Sequence, residues 1–106
     1  MIMINDEHDL DKLDAFQELS SSEQDQLIEW CIKNFKKIKR INRSHTSYGL
    51  KHKFENSEEG FYITNGAFKK AMLEAGFEYK PSQSVDKNWC FNVSEKSITI
   101  LSDELR

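Results

Sequence analysis

KKIKRINRSHTSYGLKHKFENSEEGFYITNGAFKKAMLEAGF, Lys36 to Phe77, decides the fold of this chain. Ser44, Thr46 or Ser47 can cap a short helix running to about Glu55, with Leu50 and Phe54 inward at i and i+4 and Tyr48 and His52 as a second such pair. Asn56 to Gly60 is a turn by composition, and Phe61, Tyr62 and Ile63 after it are β-prone and read as buried. Thr64 or Asn65 then caps a further helix whose Phe68, Ala71, Met72 and Ala75 share one face. Gly76 is placed as its left-handed stop, and Phe77 as the apolar contact that accompanies such a stop.

Upstream, Leu27, Trp30, Cys31, Phe35 and Ile38 recur at three or four residues, with Ile28 and Ile32 widening the stripe. That spacing predicts a helix over roughly Ser22 to Arg40, with Lys36, Lys37, Lys39 and Arg40 at its negative end. Ser20 and Glu23 fit a capping box at its start. Leu10, Leu13, Phe16 and Leu19 predict a short helix before it, with acids on the other face, and Met1 to Asn5 is a short strand or a frayed end. Downstream, Phe77 to Lys80 and Asn88 to Val93 read as two strands joined by Pro81 to Lys87. Ser94 can cap a last helix with Ile98, Leu101 and Leu105 inward. Ile98 to Leu101 also reads as a strand.

The fold class expected is therefore mainly α with a small β-hairpin, in one domain over 1–106. It divides into an acidic N-terminal helical extension over 1–19, a core over 20–93 and a C-terminal element over 94–106. Three helices followed by a hairpin is the order of a winged helix-turn-helix, in which the third helix enters the major groove. Asn65, Gly66, Lys69, Lys70, Leu73 and Glu74 would be its outward positions. One departure is the link from Asn56 to Ile63, since a compact helix-turn-helix uses about three or four residues there. Either a short strand lies in that link, as in a winged variant, or the arrangement differs.

Charge is segregated. Residues 1–35 carry a net −7, residues 36–53 a net +7 with no acid among them, and the remainder a net −3. An acid-free run of this kind suits phosphate contact, and an acidic partner or the chain's own acidic third are the other takers. Twelve aromatic residues argue against disorder. Cys31 and Cys90 sit far apart in apolar runs and without zinc-ligand spacing, so two buried thiols in a reducing compartment are expected. The start MIMINDEHD has neither a basic region nor a long apolar run, which implies no signal peptide, and no apolar segment approaches the ~20 residues of a membrane span.

Catalytic constellations are absent from this reading. His45 lies between Ser44 and Thr46 without an evident orienting acid. Asp6, Glu7, His8 and Asp9 lack the glycine and spacing of a calcium loop, so neither a metal nor a cofactor is expected. Tyr48 reads as buried and Lys51 as an outward contact, because lysine is rarely fully buried. Asn65–Gly66 is open between an anion-binding helix start and a plain cap.

Ser47 to Glu55, Tyr62 to Gly66, Gly76–Phe77, and Asn88, Trp89 and Phe91 together resemble a pattern shared by small, largely uncharacterised proteins of phages, plasmids and integrative elements of bacteria. The pattern is a Ser-Tyr-Gly-Leu-Lys-His-x-x-Glu helix, Tyr-x-x-Asn-Gly, a helix ending in Gly-Phe, and Asn-Trp-x-Phe. It covers about Arg43 to Val93. The resemblance implies a mobile-element origin and a compact helical module in the cytoplasm of a bacterial host. Some small proteins of such elements block host defences, CRISPR nucleases included, so that role follows as an alternative.

The function expected is non-enzymatic DNA binding dominated by backbone contacts. Lys36, Lys37, Lys39, Arg40, Arg43, Lys51 and Lys53 would hold phosphates, and Asn65, Lys69 and Lys70 would enter or flank the groove. The alternatives are a protein-binding inhibitor or adaptor that uses the basic face or the acidic third, and a homodimer in which opposite halves neutralise each other.

Overall fold

The computed structural model describes residues 12–82 and 87–104. Met1–Asn5, the Asp6–Asp9 cluster, Leu10 and Leu105 lie outside them. A 3-10 helix, Leu13–Glu18, leads into α1 (Ser21–Asn34), followed by α2 (Ser47–Glu55), α3 (Asn65–Glu74), β1 (Tyr79–Pro81), β2 (Trp89–Phe91) and α4 (Glu95–Glu104). The chain is a mainly helical domain with a small two-stranded antiparallel hairpin near its C-terminal end.

The local signals act as their chemistry predicts. Ser20 Oγ accepts from the Glu23 amide at 3.1 Å, and the Glu23 carboxylate accepts from the Ser20 amide at 3.0 Å. Thr64 Oγ1 accepts from the Ala67 amide and starts α3. At its far end the Phe77 amide donates to Met72 O and the Gly76 amide to Leu73 O, both at 3.0 Å. These are the two crossed bonds of a Schellman stop, and Gly76 carries the required positive φ of 93°. Thr46 occupies the cap position of α2 without a side-chain bond to the helix. Residues 98–101 are helical, within α4, and Ser94 Oγ caps that helix by accepting from the Ser97 amide.

α1 ends six residues earlier than its apolar stripe suggests. Asn34 Nδ2 donates to Trp30 O at 2.9 Å, and Phe35 turns extended, at φ −111° and ψ 133°. The Phe35 ring enters the core edge-on to Trp30 (centroids 5.3 Å apart) and to Phe77 (6.5 Å). Beyond it, Lys36 to Asn42 runs antiparallel to 91–94. The Ser94 amide donates to Lys36 O at 2.7 Å, and Lys37 bridges Val93. The Ile38 amide donates to Asn92 O and the Asn42 amide to Phe91 O, both at 2.9 Å. Four like charges in five positions would repel on a continued helix. Pairing of Lys36–Ile38 with 92–94 and a bend at Lys39–Arg40 relieve that and leave Ile38 38% exposed rather than inward.

The core joins Leu27, Trp30 and Cys31 of α1, Leu50 and Phe54 of α2, and Phe68, Ala71 and Met72 of α3. Phe91, Val93 and Ile98 close it from the C-terminal side. In the link before α3, Ile63 is buried and Phe61 packs edge-on to Phe54, while Tyr62 points out. No strand forms in that link. The 3-10 helix packs along α3 and puts Phe16 in the core, so this part of the acidic third belongs to the domain body. The hairpin register pairs Tyr79 with Phe91 and Pro81 with Trp89.

Candidate nucleic-acid interface

The segment from Lys36 to Arg43 is held as an arm beside the hairpin, and its anchor is Asn92. Asn92 Oδ1 accepts from the Glu78 amide at 2.7 Å, and Nδ2 donates to Ile38 O at 3.0 Å. One buried side chain therefore ties β2 to the chain on both of its sides. Asn42 secures the far end: its Nδ2 reaches Val93 O and a Glu95 carboxylate oxygen, each at 3.1 Å, and its Oδ1 accepts from the Ser44 amide. The arm is a fixed ribbon rather than a loose loop.

Lys36, Lys37, Lys39, Arg40 and Arg43 are all exposed on this ribbon. Among the described residues none of the five is in an ion pair with a carboxylate. Lys37 Nζ lies 4.7 Å from the centre of the Phe77 ring and against Gly76, so its stem covers the stop of α3. Glu95, beside the arm, is taken up by His45 Nε2 at 3.0 Å as well as by Asn42. Those two hydrogen bonds hold its carboxyl below the usual range despite some burial. The partner acid that His45 lacks in the sequence reading is thus Glu95, 50 residues on.

The other expected contacts are placed differently. Lys51 is not outward: it is 5% exposed, and its Nζ is 3.0 Å from Glu55 Oε2. Burial alone would raise the Glu55 carboxyl. The Ile63 amide and the Lys51 ammonium outweigh it and hold the carboxyl below its ordinary value. Glu55 Oε1 also lies 3.0 Å from His52 Nδ1. Tyr48, expected inside, is 54% exposed, edge-on to His52 with centroids 4.4 Å apart. Lys51 therefore sits beneath the aromatic surface in place of Tyr48, because Glu55 supplies the charge that makes its burial tolerable.

Lys69 is likewise buried at 5%, donating to Lys87 O at 2.8 Å and lying 4.7 Å over the Trp89 ring. Asn65 and Gly66 are buried too, with Asn65 Nδ2 on Asn88 Oδ1. Of the six outward positions expected on this helix, only Glu74 is exposed, while Lys70 and Leu73 are half-buried. Lys70 forms an i,i+4 pair with Glu74 at 2.9 Å. Lys53 is half-buried. The hairpin and the 3-10 helix claim the surface that a groove-reading helix would need.

Asn92 and Asn42 are structural keys that sequence reasoning did not single out. Asn92 works through backbone groups 14 and 54 residues away, and Asn42, apart from its local bond to the Ser44 amide, through groups 51 and 53 residues away. Among the described residues no group of His, Cys, Asp and Glu is arranged to hold a metal, and no helix is long and apolar enough to cross a membrane. No family model, curated protein or solved structure matches the chain.

Proposed function

We propose that the chain is a non-enzymatic DNA-binding protein that grips the phosphate backbone with the Lys36–Arg43 arm. The observation that carries this is the arm itself: five exposed cations on a segment tied by backbone hydrogen bonds at Lys36, Ile38 and Asn42, free of carboxylate partners among the described residues. The scaffold is winged-helix-like. It has the order helix, short extended stretch, helix, helix, hairpin, with Lys36–Ile38 antiparallel to 92–94, directly after the second hairpin strand. The nine-residue link before α3 and the burial of α3 are its departures from that type. They favour backbone contact from the arm over sequence reading by a helix. The resemblance to mobile-element proteins adds a phage or element origin and a place in the bacterial cytoplasm to the same reading.

Titration of a labelled duplex at several salt concentrations tests it. Five phosphate contacts give a slope of log affinity against log salt of about −4.5. Reversing Lys36, Lys39 and Arg40 to Glu lowers the affinity and flattens the slope by about 3. Lys70→Glu changes little, since Lys70 is already paired with Glu74. Absence of binding to both duplex and single-stranded DNA at low salt, or full binding by the arm variant, sinks the proposal.

A second reading, a protein-binding inhibitor, has its own observation. Asp25, Glu29 and Glu59, with Lys33 as the one base among the described residues, line a concavity of about 490 Å³ between α1 and the loop after α2. That acidic face suits a basic partner such as a nucleic-acid channel of a host enzyme. Inhibition of such an enzyme that survives reversal of the arm and is lost with Asp25→Lys and Glu29→Lys would favour it over DNA binding.

A further inference from the structure

All three tyrosines of the chain are exposed, and two of them flank one buried ammonium. Lys51 Nζ lies 5.3 Å from the centre of the Tyr48 ring and 5.5 Å from that of Tyr62, whose residue is 71% exposed. The support beneath them is rigid. Glu55 holds Lys51 through one carboxylate oxygen, and that same oxygen accepts from the amide of Ile63, next to Tyr62. The third tyrosine, Tyr79, stacks on Trp89 at 3.6 Å, nearly parallel. The Trp89 amide in turn donates to Ser47 Oγ, one residue before Tyr48.

We infer that this aromatic face stacks unpaired bases, so that the ligand of the arm is single-stranded nucleic acid. The inference rests on the proposed phosphate-binding role of the arm and names its ligand class. Three observations lead to it. First, neither Tyr48 nor Tyr62 contributes a buried ring to the core, and the Lys51 ammonium lies within 5.5 Å of both ring centres, so two exposed π-faces are held near one charge. Second, the arm and the start of the aromatic helix are held by the same strand: Asn42 bonds β2 at Phe91, and Ser47, next to Tyr48, bonds it at Trp89. Charge favours this occupant: no acid occurs between Lys36 and Phe54, and Glu55 and Glu95 are each engaged by a basic partner, with the exposed Glu58, Glu59 and Glu78 lying outside that run. Third, α3 presents no free face for a major groove, whereas rings beside a cationic track are what a single strand needs, each base offering a π-face and each phosphate a charge.

The test uses the full chain with a labelled mixed-sequence 15-mer, single-stranded and as its duplex, read by fluorescence anisotropy. The expected result is tighter binding of the single strand. Tyr48→Ala with Tyr62→Ala weakens single-strand binding about tenfold or more per ring, leaving duplex binding and the salt slope unchanged. Tyr48→Phe with Tyr62→Phe retains it, since the ring rather than the hydroxyl stacks. The far-ultraviolet dichroism and melting of the Ala variant should match the parent, both rings being exposed. A parent without single-strand preference, or an Ala variant with undiminished single-strand affinity, overturns the inference and leaves the arm proposal standing. A parent that binds neither form overturns both and turns the face over to a protein partner.

Discussion

At the scale of single residues, the Lys51–Glu55 pair is the most consequential contact outside the apolar core. Its side chains are 6% and 14% exposed, and Glu55 also holds the Ile63 amide. Removing the carboxylate leaves an ammonium buried without its counter-charge, which costs more than an exposed pair does. Glu55→Gln is expected to destabilise the chain by on the order of 3 kcal/mol at neutral pH, measured by urea denaturation. The pH dependence has a definite sign. The folded-state value of Glu55 lies below its ordinary 4.5, so its contribution is present above that pH and is lost as pH falls through the folded value. The difference between parent and Glu55→Gln should therefore shrink below pH 4.5. A gap that stays constant down to acid denaturation would contradict this assignment.

At the scale of elements, the arm is distinctive because its conformation is borrowed. α3 carries its own start and stop in Thr64 and in Gly76–Phe77. The arm has no such local instructions. Its backbone bonds go to β2 and to the start of α4, and Asn92 closes the arrangement from inside. Asn92→Ala strands the Ile38 carbonyl and the Glu78 amide, each at a cost of roughly 1–3 kcal/mol if unhydrated. The expected outcome is a loss of about 2 kcal/mol or more in global stability. Amide exchange should accelerate at Ile38 and Asn42 more than within α3. Equal acceleration in both places would mean that Asn92 supports the whole core rather than the arm.

At the scale of the whole molecule, one core spans every helix, and the two thiols report on it. Cys31 and Cys90 are buried at 0% and 1% exposure, and burial pushes the Cys31 thiol well above its ordinary range. A buried, protonated thiol is a poor nucleophile. Neither cysteine should react with a disulfide reagent at neutral pH in the folded chain, and both should titrate in denaturant. Their labelling rate should follow global unfolding, so rapid modification of Cys31 under native conditions would contradict a closed core. The same scale explains why the acidic third is more than an appendage: Phe16 is a core residue, and Gln24 Nε2 ties Phe16 O and Leu19 O to α1. The described part of the acidic third, from Lys12 on, is therefore packed on the same core as the basic arm.

The sequence by itself determined the elements that are closed locally. The capping box at Ser20, the Thr64 cap, the Gly76 stop, the inward Leu50 and Phe54 and the hairpin all follow from groups within a few residues of one another. Only the tertiary structure decided which lysines are surface and which are interior, and where α1 stops. Lys51 and Lys69 look like any other lysines until Glu55 and the Lys87 carbonyl are brought to them. The stripe through Ile38 looks helical until Asn92, 54 residues on, offers its backbone and its amide to an extended chain. The physical reason is common to both. An apolar spacing constrains one turn of chain at a time, whereas a buried charge or an unpaired backbone edge is settled by the partner that folding delivers, and that partner is distant in sequence.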